Sequence, residues 1–295
     1  MQSGVIYAAL AYTAWGLFPL YFKQLSSVGA LEIVLHRSLW ALVVVLALLA
    51  VMGRWAWLRG VAARPRQVAV FALAALLLAG NWLLYVWAVN HDRVIDASLG
   101  YYITPLVNVA LGYFMLGERP RRAQWTALSL AAAGVGWLTV AAGQVPWIGL
   151  VLAACFGLYG LIRKTAELGA LEGLAMETML LAPFAASMLA WTTLRGTSAL
   201  AVADGPTIGL LLLAGPLTTL PLLMFAAGAR RISMTTLGVL QYISPTIQFA
   251  MGVWLYREPF DGSRLAGFVL IWLALAVYSA EGWWRMSRRP APAPT

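Results

Sequence analysis

Long apolar runs, separated by short polar connections, occupy most of this chain. Ten of them are long enough to cross a hydrocarbon core of about 30 Å, which takes about 20 helical residues. They lie at 4–22, 32–52, 68–89, 96–116, 124–142, 147–162, 173–194, 207–227, 235–256 and 265–284. The pattern therefore predicts an all-α integral membrane protein with ten transmembrane helices and the lipid bilayer as its surroundings.

The composition supports the same interpretation. Of the 295 residues, 62% are hydrophobic and 11% are charged, whereas globular domains carry about 25% charged residues. The first apolar run begins almost at Met1 without a basic segment or a cleavage site, which indicates a retained span and not a signal peptide. Residues 286–295 are rich in proline and alanine, and we expect them to form a disordered cytoplasmic tail.

Basic residues indicate how the spans are oriented. With the N-terminus inside, 14 of the 20 Lys and Arg residues fall in the inner connections and the C-terminal tail. This bias predicts a multi-pass protein with both termini in the cytoplasm. The same bias explains the net charge of +9, so we do not predict a nucleic-acid partner.

A polar motif occurs twice along the chain, 140 residues apart. Tyr102-Ile103-Thr104-Pro105 and Tyr242-Ile243-Ser244-Pro245 are each followed by a glycine 7 residues after the proline and a glutamate 13 residues after it. Five spans per copy is an odd number, so the second copy crosses the membrane in the opposite direction. We therefore predict two inverted five-helix repeats, 1–143 and 144–285, a construction typical of secondary transporters.

Each copy of the motif places polar and small residues along one face of its helix, because the positions advance by four, three and four residues. The two stripes consist of Tyr101, Pro105, Asn108 and Gly112 and of Gln241, Pro245, Gln248 and Gly252. Each proline kinks its helix and frees the carbonyl four residues earlier. We predict that the stripes line a central substrate cavity. The alternative is that the prolines only kink the helices and the amides hold neighbouring helices together.

Four further residues are candidates for the same cavity because they bring polar or aromatic groups into neighbouring spans. They are Trp15, Asn81, Trp82 and Tyr242. An aromatic pocket that also held a carboxylate would favour a cationic or zwitterionic substrate. The alternative is ordinary packing, since most of the 14 tryptophans must serve the interfaces or face lipid.

Ionisable residues inside the spans are few, and each is costly in hydrocarbon. Glu32, His36 and Arg37 begin the second span, and Glu177 lies deeper in the seventh without an obvious local partner. We predict that these four residues recognise a charged substrate or couple transport to protons. The alternative is that Glu32 and Arg37 pair at the membrane interface and that His36 is a packing residue.

Several signatures of catalysis are missing from the sequence. It contains no G-x-x-x-x-G-K-[ST], H-E-x-x-H or G-x-S-x-G motif. With one cysteine and two histidines, we predict no catalytic residues, no metal site and no cofactor. A membrane-embedded enzyme acting on a lipid or isoprenoid and a non-transporting scaffold remain the alternatives to a transporter.

A run of small residues, 131–136, allows two helices to approach closely. We expect this run to be used for packing within the chain. A homodimer contact is the alternative.

Short motifs carry a resemblance that covers nearly the whole chain. They include Trp15-Gly16, Glu32-Ile33 with His36-Arg37, Gly80-Asn81-Trp82, Glu177-Thr178-Met179 and Gln241-Tyr242-Ile243 with Pro245-Thr246. With these motifs the chain resembles the RarD proteins, the chloramphenicol-sensitivity group of the EamA-like drug/metabolite transporter superfamily. Thr104 departs from the asparagine expected in some relatives.

The resemblance implies a ten-helix inner-membrane carrier built from two inverted halves. It also implies export of a small molecule, either amino-acid-like, amphipathic or drug-like, by alternating access. It does not name the substrate.

Overall fold

The computed structural model describes residues 2–62, 64–117, 119, 121–202, 204–229, 231–232 and 240–287. Within these ranges all regular structure is helical, which confirms the predicted all-α fold there. The helices are α1 (Gln2–Gly16), α2 (Phe18–Gln24), α3 (Ala30–Met52), α4 (Ala56–Ala62), α5 (Pro65–Asn90), α6 (Val94–Leu116), α7 (Arg122–Ala142), α8 (Trp147–Thr165), α9 (Ala170–Leu194), α10 (Ala199–Val202), α11 (Gly205–Ala229), α12 (Ile243–Ala250), continued by a π-helix (Met251–Leu255), and α13 (Gly262–Ser287).

Seven stretches within the described residues are long and apolar enough to cross a bilayer. They are Ser3–Gln24, Ala30–Met52, Pro65–Asn90, Val94–Leu116, Ala170–Leu194, Gly205–Phe225 and Gly262–Glu281. The chain is therefore a multi-pass membrane protein. The count of ten stays a prediction: α8 and α12 are shorter apolar helices, α7 is not among the seven, and part of 235–256 and most of the predicted tail lie outside the described residues.

Helices of the first half pair mainly with helices of the second half. The closest lengthwise partners are α7 with α13 and α6 with α8, followed by α3 with α11, α1 with α11 and α3 with α9. In addition, α5 packs on α8, and α12 packs on both α1 and α6. Each half therefore buries its apolar surface against the other half.

Glycines permit the closest of these crossings. A Cβ atom on Gly134 of α7 would lie 2.9 Å from the carbonyl oxygen of Gly267 on α13, and one on Gly100 of α6 would lie 2.8 Å from the carbonyl oxygen of Gly149 on α8. Real Cβ atoms do not approach a backbone oxygen so closely without displacing a helix. Gly134, which belongs to the small-residue run, therefore packs within the chain. A homodimer stays a prediction.

The two ends of the helical bundle carry separate sets of polar contacts. We call the end that holds Lys23, Asp92 and Glu258 the distal end. Lys23 pairs with Asp92 there. The opposite, proximal end holds Arg64, which lies 2.7 Å from Glu167. Exposed pairs of this kind contribute about 0–1 kcal/mol each, so packing of the apolar helix faces is the main source of stability.

The start of α6 is held by a carboxylate from the second half. The backbone N–H groups of Val94 and Ile95 donate to the two oxygens of Glu258 over 2.6 and 2.8 Å. A helix N-terminus favours negative charge. Burial nevertheless raises the pKa of Glu258, with the two N–H donors acting in the opposite direction. This contact ties the start of α6, two turns before Tyr101, to the second half of the chain.

Candidate functional site

A buried cation lies where α2, α3, α5 and α11 meet. The side chain of Arg37 is 5% exposed, and its Nε donates to Thr218 Oγ1 over 2.7 Å. Its guanidinium carbon lies 4.1 Å from the centre of the Trp82 ring and 5.3 and 5.7 Å from those of Phe18 and Phe22. A desolvated cation over an indole gains about 2 kcal/mol, which is less than the several kcal/mol lost on burial.

Asn81 joins three helices beside this cation. Its amide nitrogen donates to the carbonyl oxygen of Leu152 on α8 over 3.1 Å, and its amide oxygen accepts from the Tyr101 hydroxyl over 3.3 Å. The Tyr101 ring lies 5.6 Å from the Tyr85 ring, edge to face. The structure thus packs Tyr101 against the same apolar cluster as Trp82, with Asn81 bonded to Tyr101.

Gln248 of the second stripe connects α12 to α1. It is 1% exposed, and its amide nitrogen donates to the backbone oxygen of Trp15 over 3.2 Å and to Ser244 Oγ over 3.1 Å. The Trp15 ring contacts Phe225, with ring centres 5.7 Å apart. Gln248 therefore has the helix-joining contacts of the alternative interpretation. Its amide oxygen, however, is buried without a hydrogen-bond partner among the described residues.

The remaining stripe residues differ in exposure. Asn108 is exposed although it lies in the middle of α6, and its amide oxygen is 3.4 Å from the place that a Cβ atom on Gly157 of α8 would occupy. Gln241 is half-buried, and the half-buried Tyr242 has a hydroxyl with no partner among the described residues. Asn108 thus faces the gap between α6 and α8, while Pro105 and Pro245 are buried.

Glu32 and His36 form a contact separate from Arg37. The Glu32 carboxylate accepts the backbone N–H of Ala199 over 2.6 Å, at the start of α10, and lies 3.9 Å from His36 Nε2. His36 Nδ1 accepts from the indole of Trp40 over 3.3 Å. Among the described residues Glu32 and Arg37 therefore do not pair. Sequence spacing could not indicate Ala199 as a partner, since 167 residues separate it from Glu32.

Glu177, for which the sequence offers no obvious local partner, has two partners on α8. The carboxylate is 1% exposed, accepts the Tyr159 hydroxyl over 3.2 Å and lies 3.4 Å from Arg163 Nη1. Arg163 also donates to the Gly169 carbonyl oxygen over 3.0 Å. Arg163 reaches Glu177 because α8 continues past Arg163 and turns tightly into α9. Arg163, which the sequence pattern assigns to a connection, therefore lies inside the bundle.

Other features of the described residues give no second site. They contain no group of three or more His, Cys, Asp or Glu side chains that could hold a metal ion. A pocket at the distal end is lined by Arg93, Asp96, Trp147 and Arg264, away from the two stripes. Arg37 has some neighbours that sequence spacing could not identify, namely Thr218 and Phe22. Tyr85 could have been identified as part of the site, because it lies one helical turn from Asn81 and shares its face.

Known proteins resemble this chain over nearly its full length. A family model described as the EamA-like transporter family matches residues 2–140. A Pseudomonas aeruginosa protein named as an uncharacterized transporter is 44% identical over 292 residues, or 99% of this chain and 98% of its own. Proteins named RarD from Streptomyces exfoliatus and Escherichia coli are 46% and 41% identical, covering 94% of this chain and 88% and 94% of their own.

A solved structure with the same fold is among those similar to this chain. It is a crystal structure with 20% sequence identity and a TM-score of 0.62, and the alignment covers 98% of this chain and 100% of the other. At this identity the likeness concerns the arrangement of helices alone.

Proposed function

This chain belongs to the EamA-like transporter family, which it shares with the RarD proteins, and we propose that it is a secondary transporter working by alternating access. Family membership implies a bilayer and a small-molecule substrate. The observation that carries the proposal is the sequence identity of 44% and 42% with two relatives that are named transporters and are matched over nearly their full length. Those names also favour a transporter over an enzyme.

The pairing of helices supports two inverted repeats of five helices. The two halves can be aligned helix by helix. In this alignment α1 corresponds to α8, α3 to α9, α5 to α11, α6 to α12 and α7 to α13. The α1–α11 contact then matches the α5–α8 contact. The α6–α8 contact likewise matches α12–α1, while α3–α9 and α7–α13 map onto themselves. We therefore propose ten spans in halves 1–143 and 144–285, with substrate at their interface.

The proposed substrate site is the polar and aromatic layer between the halves. Trp82 and Tyr101 support it because they lie beside one buried cation, and Asn81 supports it because it bonds Tyr101. Asn108 supports it because an exposed amide in the middle of a span favours a wet gap. The full set proposed to contact substrate is Trp15, Asn81, Trp82, Tyr101, Asn108, Gln241, Tyr242 and Gln248, with Pro105 and Pro245 shaping the two helices.

We also propose an inner-membrane location with both termini in the cytoplasm and export as the direction of transport. Green fluorescent protein fused after Thr295 should fluoresce, and alkaline phosphatase fused at the same point should be inactive, because each reporter works on one side of the membrane. Fusions after Arg93 should give the opposite result, since it ends a connection predicted to face outward. Active phosphatase at Thr295 would contradict this topology.

Ligand binding tests the transporter proposal directly. A transported compound that binds the folded protein should raise its melting temperature in detergent. The panel should contain amino acids, quaternary amines and antibiotics, including chloramphenicol, because one relative is named a chloramphenicol-sensitive protein. Compounds that stabilise the protein are then followed as radiolabelled probes in proteoliposomes.

Asn108→Ala is the first variant to compare in this assay. Because Asn108 is exposed and has no hydrogen bond among the described residues, the change should leave the melting temperature without ligand nearly unaltered. We expect it to weaken binding of an active compound by about tenfold, roughly 1.4 kcal/mol. Thr126→Ala is the control, since Thr126 is exposed and bonds only its own helix, to the Arg122 carbonyl oxygen. Equal effects of the two variants would count against Asn108 as a substrate contact.

A further inference from the structure

Arg37 is a buried cation without a carboxylate partner in the described part of the chain. The titratable side chains that interact with its charge are Tyr21, Tyr85 and Tyr101, and a tyrosine hydroxyl is uncharged at neutral pH. The three buried acids among the described residues are used elsewhere: Glu172 pairs with Arg54, Glu177 lies against Arg163, and Glu258 accepts from the start of α6. The layer around Arg37 therefore carries an unbalanced positive charge.

The same place is rich in hydrogen-bond donors and poor in free acceptors. The two terminal nitrogens of Arg37 have no acceptor among the described residues, since only its Nε donates, to Thr218. The Tyr85 hydroxyl, on a side chain that is 3% exposed, has none either. The amide oxygen of Asn81, an acceptor in the same layer, is already engaged by the Tyr101 hydroxyl. Buried donors are normally paired, so acceptor atoms of a ligand would satisfy the donors at this place.

From these observations we propose that Arg37 binds the carboxylate of a small organic anion, with the Tyr85 hydroxyl as a second donor. The proposal rests on the proposed transport function and names its substrate class. A guanidinium presents a planar fork that matches the two oxygens of a carboxylate. The rings of Trp82, Phe18 and Phe22 form an apolar wall suited to the rest of such a molecule.

The positive charge of Arg37 also disfavours a cationic substrate at this position. The expectation of a cationic or zwitterionic substrate depends on a carboxylate within the aromatic layer. Glu32, the candidate on the same helix, instead accepts the N–H of Ala199 and lies beside His36. A cation next to Arg37 would add repulsion in a region of low dielectric.

The test compares acids with their own amides. Acetate, succinate, benzoate and phenylacetate are titrated into the detergent-purified protein at constant ionic strength, each beside the matching amide, with phenylethylammonium as a cation and chloride and phosphate as inorganic anions. At least one acid should raise the melting temperature and bind about tenfold more tightly than its amide. Stabilisation by the inorganic anions alone would overturn the proposal.

Variants assign the preference to Arg37. In Arg37→Met the acid and its amide should bind about equally, and in Arg37→Lys the preference should fall but persist, because an ammonium keeps the charge without the fork. Tyr85→Phe should weaken binding of the acid more than binding of the amide. Arg195→Met is the matched control: Arg195 lies 4.1 Å from the Trp191 ring centre, as Arg37 does from Trp82, but is exposed.

The two proposals fail in different ways. An unchanged preference for acids in Arg37→Met, tighter binding of amides or of the ammonium compound, or no effect of any acid on folded protein would each overturn the anion site. Transport of a neutral or cationic compound that survives Arg37→Met would do the same while leaving the transporter proposal intact. An acid that binds through Arg37 but never crosses a proteoliposome membrane would instead count against transport.

Discussion

Removal of the Glu177 carboxylate should destabilise the folded protein by about 3–5 kcal/mol, the cost of leaving one member of a buried ion pair without its partner. In Glu177→Leu the guanidinium of Arg163, now 3.4 Å from a Glu177 oxygen, would remain inside the bundle against Phe71. The Tyr159 hydroxyl would lose its acceptor as well. Unfolding in detergent, followed by tryptophan fluorescence, measures the change.

A second substitution separates the pair from its surroundings. Arg163→Met together with Glu177→Leu should recover much of the loss, since replacing both members of a buried pair by apolar residues is often neutral. Glu167→Gln is the control because its pair with Arg64 is exposed, and it should cost less than about 1 kcal/mol. Additive effects of the two substitutions at 163 and 177 would show that the pair is not coupled.

The same carboxylate is our proposed proton-coupling group. Glu177→Gln keeps the shape of the side chain but cannot ionise, so transport by this variant should no longer depend on a pH gradient across proteoliposomes. A wild-type response to the gradient in this variant would remove Glu177 from the coupling mechanism while leaving its structural role in place.

Gly134→Leu should cost about 3 kcal/mol or more, at the upper end of what overpacking does. A Cβ atom there would meet the Gly267 carbonyl oxygen at 2.9 Å and Ile271 Cγ1 at the same distance. A backbone oxygen cannot move aside as a flexible side chain can, so α13 would have to separate from α7. We expect a broad elution profile in size-exclusion chromatography and a large fall in melting temperature.

Gly136 is a matched control two residues along the same helix. A Cβ atom on Gly136 would have no neighbour within 4 Å, and this glycine is exposed. Gly136→Leu should therefore change stability by no more than about 0.5 kcal/mol, as surface substitutions do. If Gly136→Leu were as damaging as Gly134→Leu, the run would be serving a contact between two copies of the chain.

Much of the architecture follows from the sequence because hydrophobicity and helical period are local properties. Apolar runs of about 20 residues can satisfy every backbone group in a membrane only as helices or in a closed barrel, and the all-α fold was predicted on that basis. The two proline motifs are the basis of the proposed duplication, which stays a prediction. The small-residue run at Gly134 was correctly expected to pack within the chain.

The partners of the charged and polar side chains were decided by the tertiary structure. Sequence spacing joins residues on one helix, as it does Glu32 and His36, but it cannot place Thr218 beside Arg37 across 181 residues or Glu258 at the start of α6. Glu177 illustrates the same limit, since its partner lies on another helix. Buried polar groups must find partners wherever packing brings them. The sequence alone therefore determined which residues are costly to bury. Only the fold decided which of them are paired, and it leaves Arg37 without a carboxylate partner among the described residues.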